Sequence, residues 1–361
     1  MPGRFSRRRF IEGAAGVAGA AALSGTGLDA VAEAANPRDQ RTLNIICWEG
    51  YTDPSFVAPF EKQFNCKVQS TYAGSSDEMF TKWMGGGGKV YDLVSASGDA
   101  SVRFIHSGTL LEVDVSKVPN FKYLFPKFHR PAWNTVGDRH YGVSFTWGPD
   151  PLIYNTTVFP STPKSWHVLY DPKYKGKLAT ADNPITIADV ALYLGYKDVY
   201  NLNESQLMQV KKTLVAQKPL LRTYWSSAAD LENKFENHEV VASNGWPLMT
   251  ADLKKAKFPV GETIPREGAT GWADTWMISK YSPNADLALE WINYMIGPRG
   301  QLGVINVTNY SGASQAVIPL LGKARVHALH MDDLSYFDKL HMWVTPPNYA
   351  LWQKIWLDVK G

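Results

Sequence analysis

The chain has 361 residues, of which 45% are hydrophobic and 20% charged, and its formal net charge is +3. A chain of this length and composition can build the cores of two ordinary domains, which excludes a disordered protein. The near balance of charge argues against nucleic acid as a partner, because nucleic-acid-binding proteins usually carry a basic stripe that neutralises phosphates.

The pattern of residues 1–34 is typical of a cleavable export signal. The basic run Ser6-Arg7-Arg8-Arg9-Phe10 precedes an uncharged segment, residues 13–28, and small residues follow at Ala32 and Ala34. This apolar segment is too short to span a bilayer comfortably, and the paired arginines favour the twin-arginine route. A short membrane anchor or a disordered tail is the alternative. We therefore expect the mature protein in the periplasm, where little ATP is available.

Strand and helix alternate in the region that follows. Strands are predicted at residues 42–48, 67–72 and 91–95, and helices at residues 53–64 and 75–84 lie between them. This alternation predicts an α/β fold with a parallel sheet covered by helices. The carboxyl ends of such strands face a ligand crevice. Trp48, Tyr51, Ser97 and Asp99 follow predicted strand ends and are therefore placed where a ligand would lie.

A second alternation runs through residues 178–246, and residues 285–296 form an amphipathic helix. The two cysteines, Cys47 and Cys66, fall in adjacent predicted strands. An oxidising compartment permits a disulfide, but its formation depends on a Cα separation that the sequence does not give. A disulfide and two buried free thiols both remain open.

Motifs for catalysis and cofactors are absent from the sequence. It contains no Gly-x-Ser-x-Gly, His-Glu-x-x-His or Gly-x-Gly-x-x-Gly pattern, and the glycine run 85–88 lacks the spacing of a phosphate loop. His327 and His330 lie near Asp333 and could share a metal, although surface histidines are the simpler interpretation. We therefore expect no catalytic residues, no cofactor and no metal.

A set of aromatic residues is accompanied by one acid. Five aromatic residues fall at predicted strand ends or loops: Trp48, Tyr51, Trp246, Trp272 and Tyr310. Asp274 lies two residues after Trp272. Aromatic faces attract cations, and a carboxylate forms charge-assisted hydrogen bonds with an ammonium group. The set therefore fits an alkyl-ammonium ligand, while composition alone also allows these aromatics simply to fill the core.

At these positions the chain resembles the spermidine/putrescine-binding proteins of bacterial ABC importers. The resemblance covers nearly the whole mature region in order. It rests on Trp48-Glu49-Gly50-Tyr51, Tyr91-Asp92-Leu93-Val94-Ser95-Ala96-Ser97, Ser165-Trp166, Tyr174-Lys175-Gly176-Lys177-Leu178, Asn244-Gly245-Trp246, Trp272-x-Asp274 and Asn309-Tyr310. Each motif is weak alone, but their ordered sum is specific.

The resemblance implies a two-lobed periplasmic-binding-protein fold of type II, with parallel-rich sheets covered by helices and the ligand cleft between the lobes. By this likeness, residues 42–146 and 273–318 form lobe 1, and residues 147–272 and 319–361 form lobe 2. The family implies a receptor without enzymatic activity that closes like a hinge on its solute and delivers it to an inner-membrane permease. A monomer is the default for this fold.

The resemblance also assigns roles to individual residues. Trp48, Tyr51, Ser97 and Tyr310 would form walls of the site. Trp246 and Trp272 would sandwich an alkyl chain, and Asp274 would hold an ammonium. The family's acidic pair for a second ammonium aligns with Asn183 and Thr186 here, although the neighbouring Asp182 could replace it. A family aromatic aligns with Asp99, and a late glutamine aligns with Val344.

Arg222 offers a different way to bind the second end of a ligand. It lies in the mostly apolar run Leu220-Leu221-Arg222-Thr223-Tyr224-Trp225. A structural ion pair or a surface arginine is one interpretation; a guanidinium that grips a ligand carboxylate is the other. Together with Asp274, a guanidinium in this second role would suit an ω-amino acid such as γ-aminobutyrate instead of a diamine. The two ligand classes to weigh are therefore ω-amino acids and polyamines such as putrescine. A secreted cofactor- or metal-binding enzyme and an iron-binding lobe are the alternative functions.

Overall fold

The structure is a computed structural model that describes residues 40–361, so the export signal expected at residues 1–34 lies outside the described residues. Within residues 40–361 no helix is long and apolar enough to cross a membrane. The strands are β1 (Arg41–Cys47), β2 (Cys66–Tyr72), β3 (Leu93–Ser97), β4 (Thr135–Val136), β5 (Arg139–His140), β6 (Val143–Pro149), β7 (Leu152–Asn155), β8 (Leu178–Ala181), β9 (Leu221–Trp225), β10 (Ala242–Asn244), β11 (Val260–Thr263), β12 (Thr270–Ile278), β13 (Ser311–Gly312) and β14 (His341–Met342). The helices are α1 (Pro54–Phe64), α2 (Ser76–Gly85), α3 (Gly98–His106), α4 (Thr186–Tyr193), α5 (Glu204–Gln217), α6 (Ala228–Glu236), α7 (Pro247–Lys255), α8 (Ala285–Met295), α9 (Pro298–Thr308), α10 (Lys323–Ala328) and α11 (Tyr349–Lys360).

The first helix shows how the sequence produces these elements. Asp53 caps α1 by accepting a hydrogen bond from the backbone N–H of Ser55, and Pro54 occupies the first helical position. The apolar residues of α1 recur at helical spacing and are buried on one face. The helix ends at Asn65, which adopts the left-handed conformation with φ 47°. The predicted helix to residue 64 is therefore confirmed.

Two sheets organise the described part of the chain. In the first sheet the strand order is β13-β6-β12-β3-β1-β2, and β14 pairs with β12. Strands β1, β2 and β3 are parallel, as predicted, whereas β12 runs antiparallel to both β3 and β6. The second sheet has the order β11-β7-β10-β8-β9. Buried side chains pack on both sheets in one continuous core.

Three segments connect the two sheets. Residues 150–151 lead from β6 to β7, residues 264–269 lead from β11 to β12, and residues 343–348 lead from β14 to α11. Two of these crossings are themselves tied together, because the backbone N–H of Asp150 donates to the carbonyl of Thr270 at 2.9 Å. Such paired crossing strands are the arrangement expected of a hinge between two lobes.

The segment after residue 318 packs against the first sheet before it crosses. Phe337 contacts Phe128 and Trp147, with ring centroids 5.4 and 5.2 Å apart. Helix α11 then lies on the second sheet's side, where Lys360 pairs with Asp182. The expected division of the chain into lobes at residues 146, 272 and 318 remains a prediction, and these contacts favour a last boundary near residue 343.

The strand register settles the state of the two cysteines in the described structure. In the parallel pair β1–β2, Arg41 lies opposite Cys66 and Cys47 lies opposite Tyr72. The cysteines therefore occupy opposite ends of adjacent strands, roughly 20 Å apart at about 3.3 Å per residue. Both are buried and free. A disulfide would need Cα atoms within about 7 Å.

Candidate ligand-binding site

A cavity lies between the two sheets, at the carboxyl ends of β1 and β3. The space between protein atoms there amounts to about 230 Å³, part of which is open to solvent. Its lining is almost entirely aromatic, with one acid: Trp48, Tyr51, Ser97, Trp246, Trp272, Asp274, Tyr310 and Trp343. We call this the aromatic cavity.

Strand β12 places two of these side chains on one face. Trp272 and Asp274 are two residues apart, and alternate residues of a strand face the same side of a sheet. Asp274 lies opposite Ser97 on β3, and Trp272 lies opposite Gly148 on β6. A Cβ atom at Gly148 would come within 2.8 Å of the Trp272 ring, so glycine leaves the room that the indole occupies.

Asp274 is the acid of the cavity. Its carboxylate is buried and accepts hydrogen bonds from the hydroxyls of Tyr51 and Ser97. Burial raises the pKa of Asp274 to about 7, the two hydroxyls oppose this rise, and the nearby charge of Asp99 adds to it. No cation lies within salt-bridge distance of Asp274 among residues 40–361. A cationic ligand would supply the missing partner.

The aromatic walls come from both sheets. Trp48 and Trp246 meet edge to face with ring centroids 5.6 Å apart, and Trp272 and Tyr310 lie 4.4 Å apart. Trp246 follows β10 and immediately precedes α7, and Trp225 at the end of β9 supports it at 5.0 Å. Electron-rich ring faces around a buried carboxylate form an environment that favours an alkyl-ammonium group.

Trp343 also lines the cavity and was missed by the sequence analysis. It follows β14, and its backbone N–H donates to the carbonyl of Gly271 at 2.7 Å. The resemblance places the family's late glutamine at Val344, whose side chain is exposed. The signal in the sequence that could have identified Trp343 was its large aromatic side chain next to Val344.

Asp99 lies behind the cavity and is not part of its lining. It begins α3 and is completely buried; Ser76 donates to one carboxylate oxygen at 2.8 Å. The other oxygen has no hydrogen-bond partner among the described residues. Burial raises the pKa of Asp99 to about 6, although Ser76 and Arg103 lower it. Its role as a direct ligand contact remains a prediction.

The positions expected to hold a second ammonium serve local structure. The side-chain oxygen of Asn183 accepts from the backbone N–H of Ile185, and the hydroxyl of Thr186 donates to the carbonyl of Ala181. Asp182 pairs with Lys360 at 2.5 Å. None of these residues lines the aromatic cavity. The roles of Asn183 and Asp182 in holding a second ammonium remain predictions, and in this structure the carboxylate of Asp182 is already paired with Lys360.

Arg222 lies away from Asp274 in this structure, and its predicted role in gripping a ligand carboxylate remains a prediction. Its guanidinium pairs with Glu239 at 2.8 Å, and 54% of the side chain is exposed. Arg222 is the second residue of the edge strand β9, whereas the cavity lies beyond the carboxyl end of that strand, next to Trp225. Strand alternation turns its side chain to solvent despite the apolar neighbours.

Two contacts cross the cleft close to the cavity. The carboxylate of Glu49, between cavity residues Trp48 and Tyr51, accepts from the backbone N–H of Ala228 at 2.7 Å. Ala228 is the first residue of α6, where an anion is favoured by the helix dipole. Gly74 lies against the carbonyl of Ser226, and a Cβ atom at this glycine would overlap that oxygen. The structure therefore represents a closed arrangement of the two sheets.

The family model for bacterial extracellular solute-binding proteins matches residues 55–327. The chain belongs to that family. The predicted role in solute binding is thereby confirmed.

Curated relatives and solved structures agree with this family. The putrescine-binding periplasmic protein SpuD of Pseudomonas aeruginosa is 26% identical over 313 residues, covering 81% of this solute-binding protein and 84% of the relative. The spermidine/putrescine-binding periplasmic protein of Escherichia coli is 27% identical over 292 residues, covering 80% and 82%. A putative spermidine/putrescine ABC transporter structure from Listeria monocytogenes has a TM-score of 0.79 at 24% identity, covering 89% of this chain and 99% of that chain. The predicted two-lobed fold is confirmed.

Proposed function

We propose that this solute-binding protein is the exported receptor of an ABC importer and captures a small solute with a primary ammonium group. The observation that carries the proposal is the buried Asp274 carboxylate, which lies among aromatic walls with no described cation beside it. Polyamine-binding relatives at 26–27% identity support an amine ligand. Both a polyamine such as putrescine and an ω-amino acid such as γ-aminobutyrate carry the required group.

Hinge closure would couple capture to delivery. The ligand gains contacts with Trp246 and Asp274 together only when the two sheets approach, so it shifts the population toward the closed form. We infer that an inner-membrane permease recognises this closed form and that the receptor acts as a monomer without enzymatic activity. The arginine-rich sequence at residues 6–10 supports export into the periplasm by the twin-arginine route, with removal of the signal.

A thermal-shift screen of the mature protein tests the proposal. Diamines, polyamines, ω-amino acids and ordinary amino acids are compared with matched solutes that lack an amine. A ligand at about 100 times its dissociation constant stabilises the native state by about 2.7 kcal/mol, which raises the melting temperature measurably. We expect shifts with amines only, and their loss in Asp274→Asn. No shift with any amine, or equal shifts in the variant, would contradict the proposal.

A further inference from the structure

Three indole N–H groups at the aromatic cavity lack acceptors. They belong to Trp48, Trp272 and Trp343, which line the cavity and are each more than nine-tenths buried. No hydrogen-bond partner for these nitrogens is present among residues 40–361. A buried donor without an acceptor costs free energy, so such groups are usually satisfied by protein, water or ligand.

Elsewhere the fold supplies acceptors for many of its tryptophans. The indoles of Trp83, Trp133, Trp147, Trp166, Trp225 and Trp356 donate to hydroxyl, carbonyl or carboxylate oxygens. Trp276, Trp291 and Trp352 also lack partners, but they are completely buried and line none of the cavities described. The three at the aromatic cavity differ because their side chains line that cavity.

The cavity is therefore asymmetric in its chemistry. Its lining residues carry one carboxylate, Asp274, and three indole N–H groups without partners among the described residues. No second acid is among the lining residues, so an ammonium at the far end of a diamine would have no carboxylate to pair with. A carboxylate, carbonyl or hydroxyl oxygen at that end would accept from the indole N–H groups, and an anionic acceptor would form the stronger, charge-assisted bonds.

We propose that the ligand is an amine with a hydrogen-bond acceptor at its opposite end, read by the indole N–H groups of Trp48, Trp272 and Trp343. This inference rests on the proposed function and narrows it: α,ω-diamines are disfavoured, and ω-amino acids or amino alcohols are favoured. Selection for the acceptor resides in the indoles rather than in an arginine, because Arg222 is paired with Glu239.

A series of four-carbon amines that differ only at the far end tests this inference by calorimetry. The ligands are 4-aminobutyrate, 4-amino-1-butanol, putrescine and n-butylamine. We expect 4-aminobutyrate to bind at least tenfold more tightly than putrescine and n-butylamine, with the amino alcohol between them. Putrescine binding as tightly as 4-aminobutyrate, or more tightly, would overturn the inference while leaving the proposed function intact. Failure of all four ligands to bind would instead overturn the proposed function, and this inference with it.

Substitutions can separate the contribution of the indole N–H groups to ligand affinity from the contribution of the aromatic rings. Phenylalanine replaces each of Trp48, Trp272 and Trp343, which removes the N–H and retains an aromatic ring, and melting temperatures confirm folding. We expect each substitution to lower the affinity for 4-aminobutyrate at least threefold more than the affinity for n-butylamine. Trp225→Phe is the control, because its indole nitrogen already donates to Ser243 and its ring packs against Trp246 without lining the cavity; it should weaken the binding of both ligands equally. Equal losses in all four variants would overturn the inference.

Asp99 provides the rival explanation and its own test. Its unpartnered carboxylate oxygen could receive the second ammonium of a diamine that displaces the cavity wall. In Asp99→Asn we expect the ratio of 4-aminobutyrate to putrescine affinity to remain within twofold of the wild type. A selective loss of putrescine binding in this variant would show that the site is built for diamines and would overturn the inference.

Discussion

The two sides of the cleft contribute very different chemistry. The first sheet and its connections supply seven of the eight residues that line the aromatic cavity, including Asp274, while the second sheet's side supplies Trp246. The polar residues expected to act from the second side serve other purposes: Asp182 pairs with Lys360, and Asn183 caps a turn. Recognition of charge is therefore concentrated on one side.

The second side contributes closure instead. Its Trp246 packs against Trp48 at the cavity. The backbone N–H of Ala228, at the start of α6, donates to the carboxylate of Glu49, and the carbonyl of Ser226 lies against Gly74. A receptor divided in this way can form a weak complex on one side and tighten it when the other side docks. We therefore expect substitutions on the first side to change which ligand binds. Substitutions on the second side should instead change the fraction of the protein in the closed form.

The largest expected effect is on the first side. An ammonium binds the ionised form of Asp274, whose pKa burial raises to about 7, so affinity should fall as pH drops below about 7, approaching tenfold per pH unit. Calorimetry with an amine between pH 5 and 8 measures this dependence. At pH 8, Asp274→Asn should bind roughly 10–100-fold more weakly, because a charge-assisted hydrogen bond contributes about 1.5–3 kcal/mol.

The same variant controls for other titrating groups. Asp99 lies nearby, and burial raises its pKa to about 6, so it titrates in the same range. Asp274→Asn retains Asp99 and should lose most of the pH dependence. An equal pH slope in the variant would assign the effect to Asp99 and would remove Asp274 from charge recognition.

An intermediate effect is expected where the two sides meet. In Gly74→Ala, the added methyl group would overlap the carbonyl of Ser226 in the closed form, but it has no such neighbour once the sheets separate. We expect at least a tenfold loss of affinity for every ligand alike, with an unchanged melting temperature of the free protein. Small-angle scattering should show that the ligand no longer compacts the variant.

Gly85→Ala is the matched control for Gly74→Ala. Gly85 ends α2 and has open space where a Cβ atom would be added. The affinity of Gly85→Ala for each ligand should equal that of the wild type. If Gly74→Ala bound its ligand normally, the contact with Ser226 would not be needed for closure, and the division of roles between the two sides would fail.

The sequence predicted much of the cavity but not its boundaries. Trp48 and Tyr51 follow β1, as expected for residues after a strand end, whereas Trp272, expected at a strand end or loop, lies within β12 with Asp274 two residues further on. Trp343 was missed because its position depends on β14 joining the edge of β12, a contact between residues about 70 apart in the chain. Long-range pairing of this kind leaves no periodic signal in the sequence.

Sheet position and strand register explain what the sequence did not predict about Arg222 and the two cysteines. Arg222 lies in a mostly apolar run, but β9 is an edge strand and exposes alternate residues. Cys47 and Cys66 lie in adjacent strands, which left both a disulfide and two free thiols open, and the register places the two residues at opposite ends. Position and register are set by partners elsewhere in the chain, so the local sequence does not give them.

The smallest effect is expected at the exposed ion pair of the second side. Arg222→Ala removes a surface pair with Glu239, and such pairs contribute about 0–1 kcal/mol to stability. Affinities for 4-aminobutyrate and putrescine should both stay within twofold of the wild type, and Glu239→Gln should behave in the same way. A selective loss of 4-aminobutyrate binding in Arg222→Ala, with no loss in Glu239→Gln, would mean that the guanidinium leaves Glu239 to meet the ligand. Both sides of the cleft would then bind charged groups of the ligand. The assignment of charge recognition to the first side alone would be wrong.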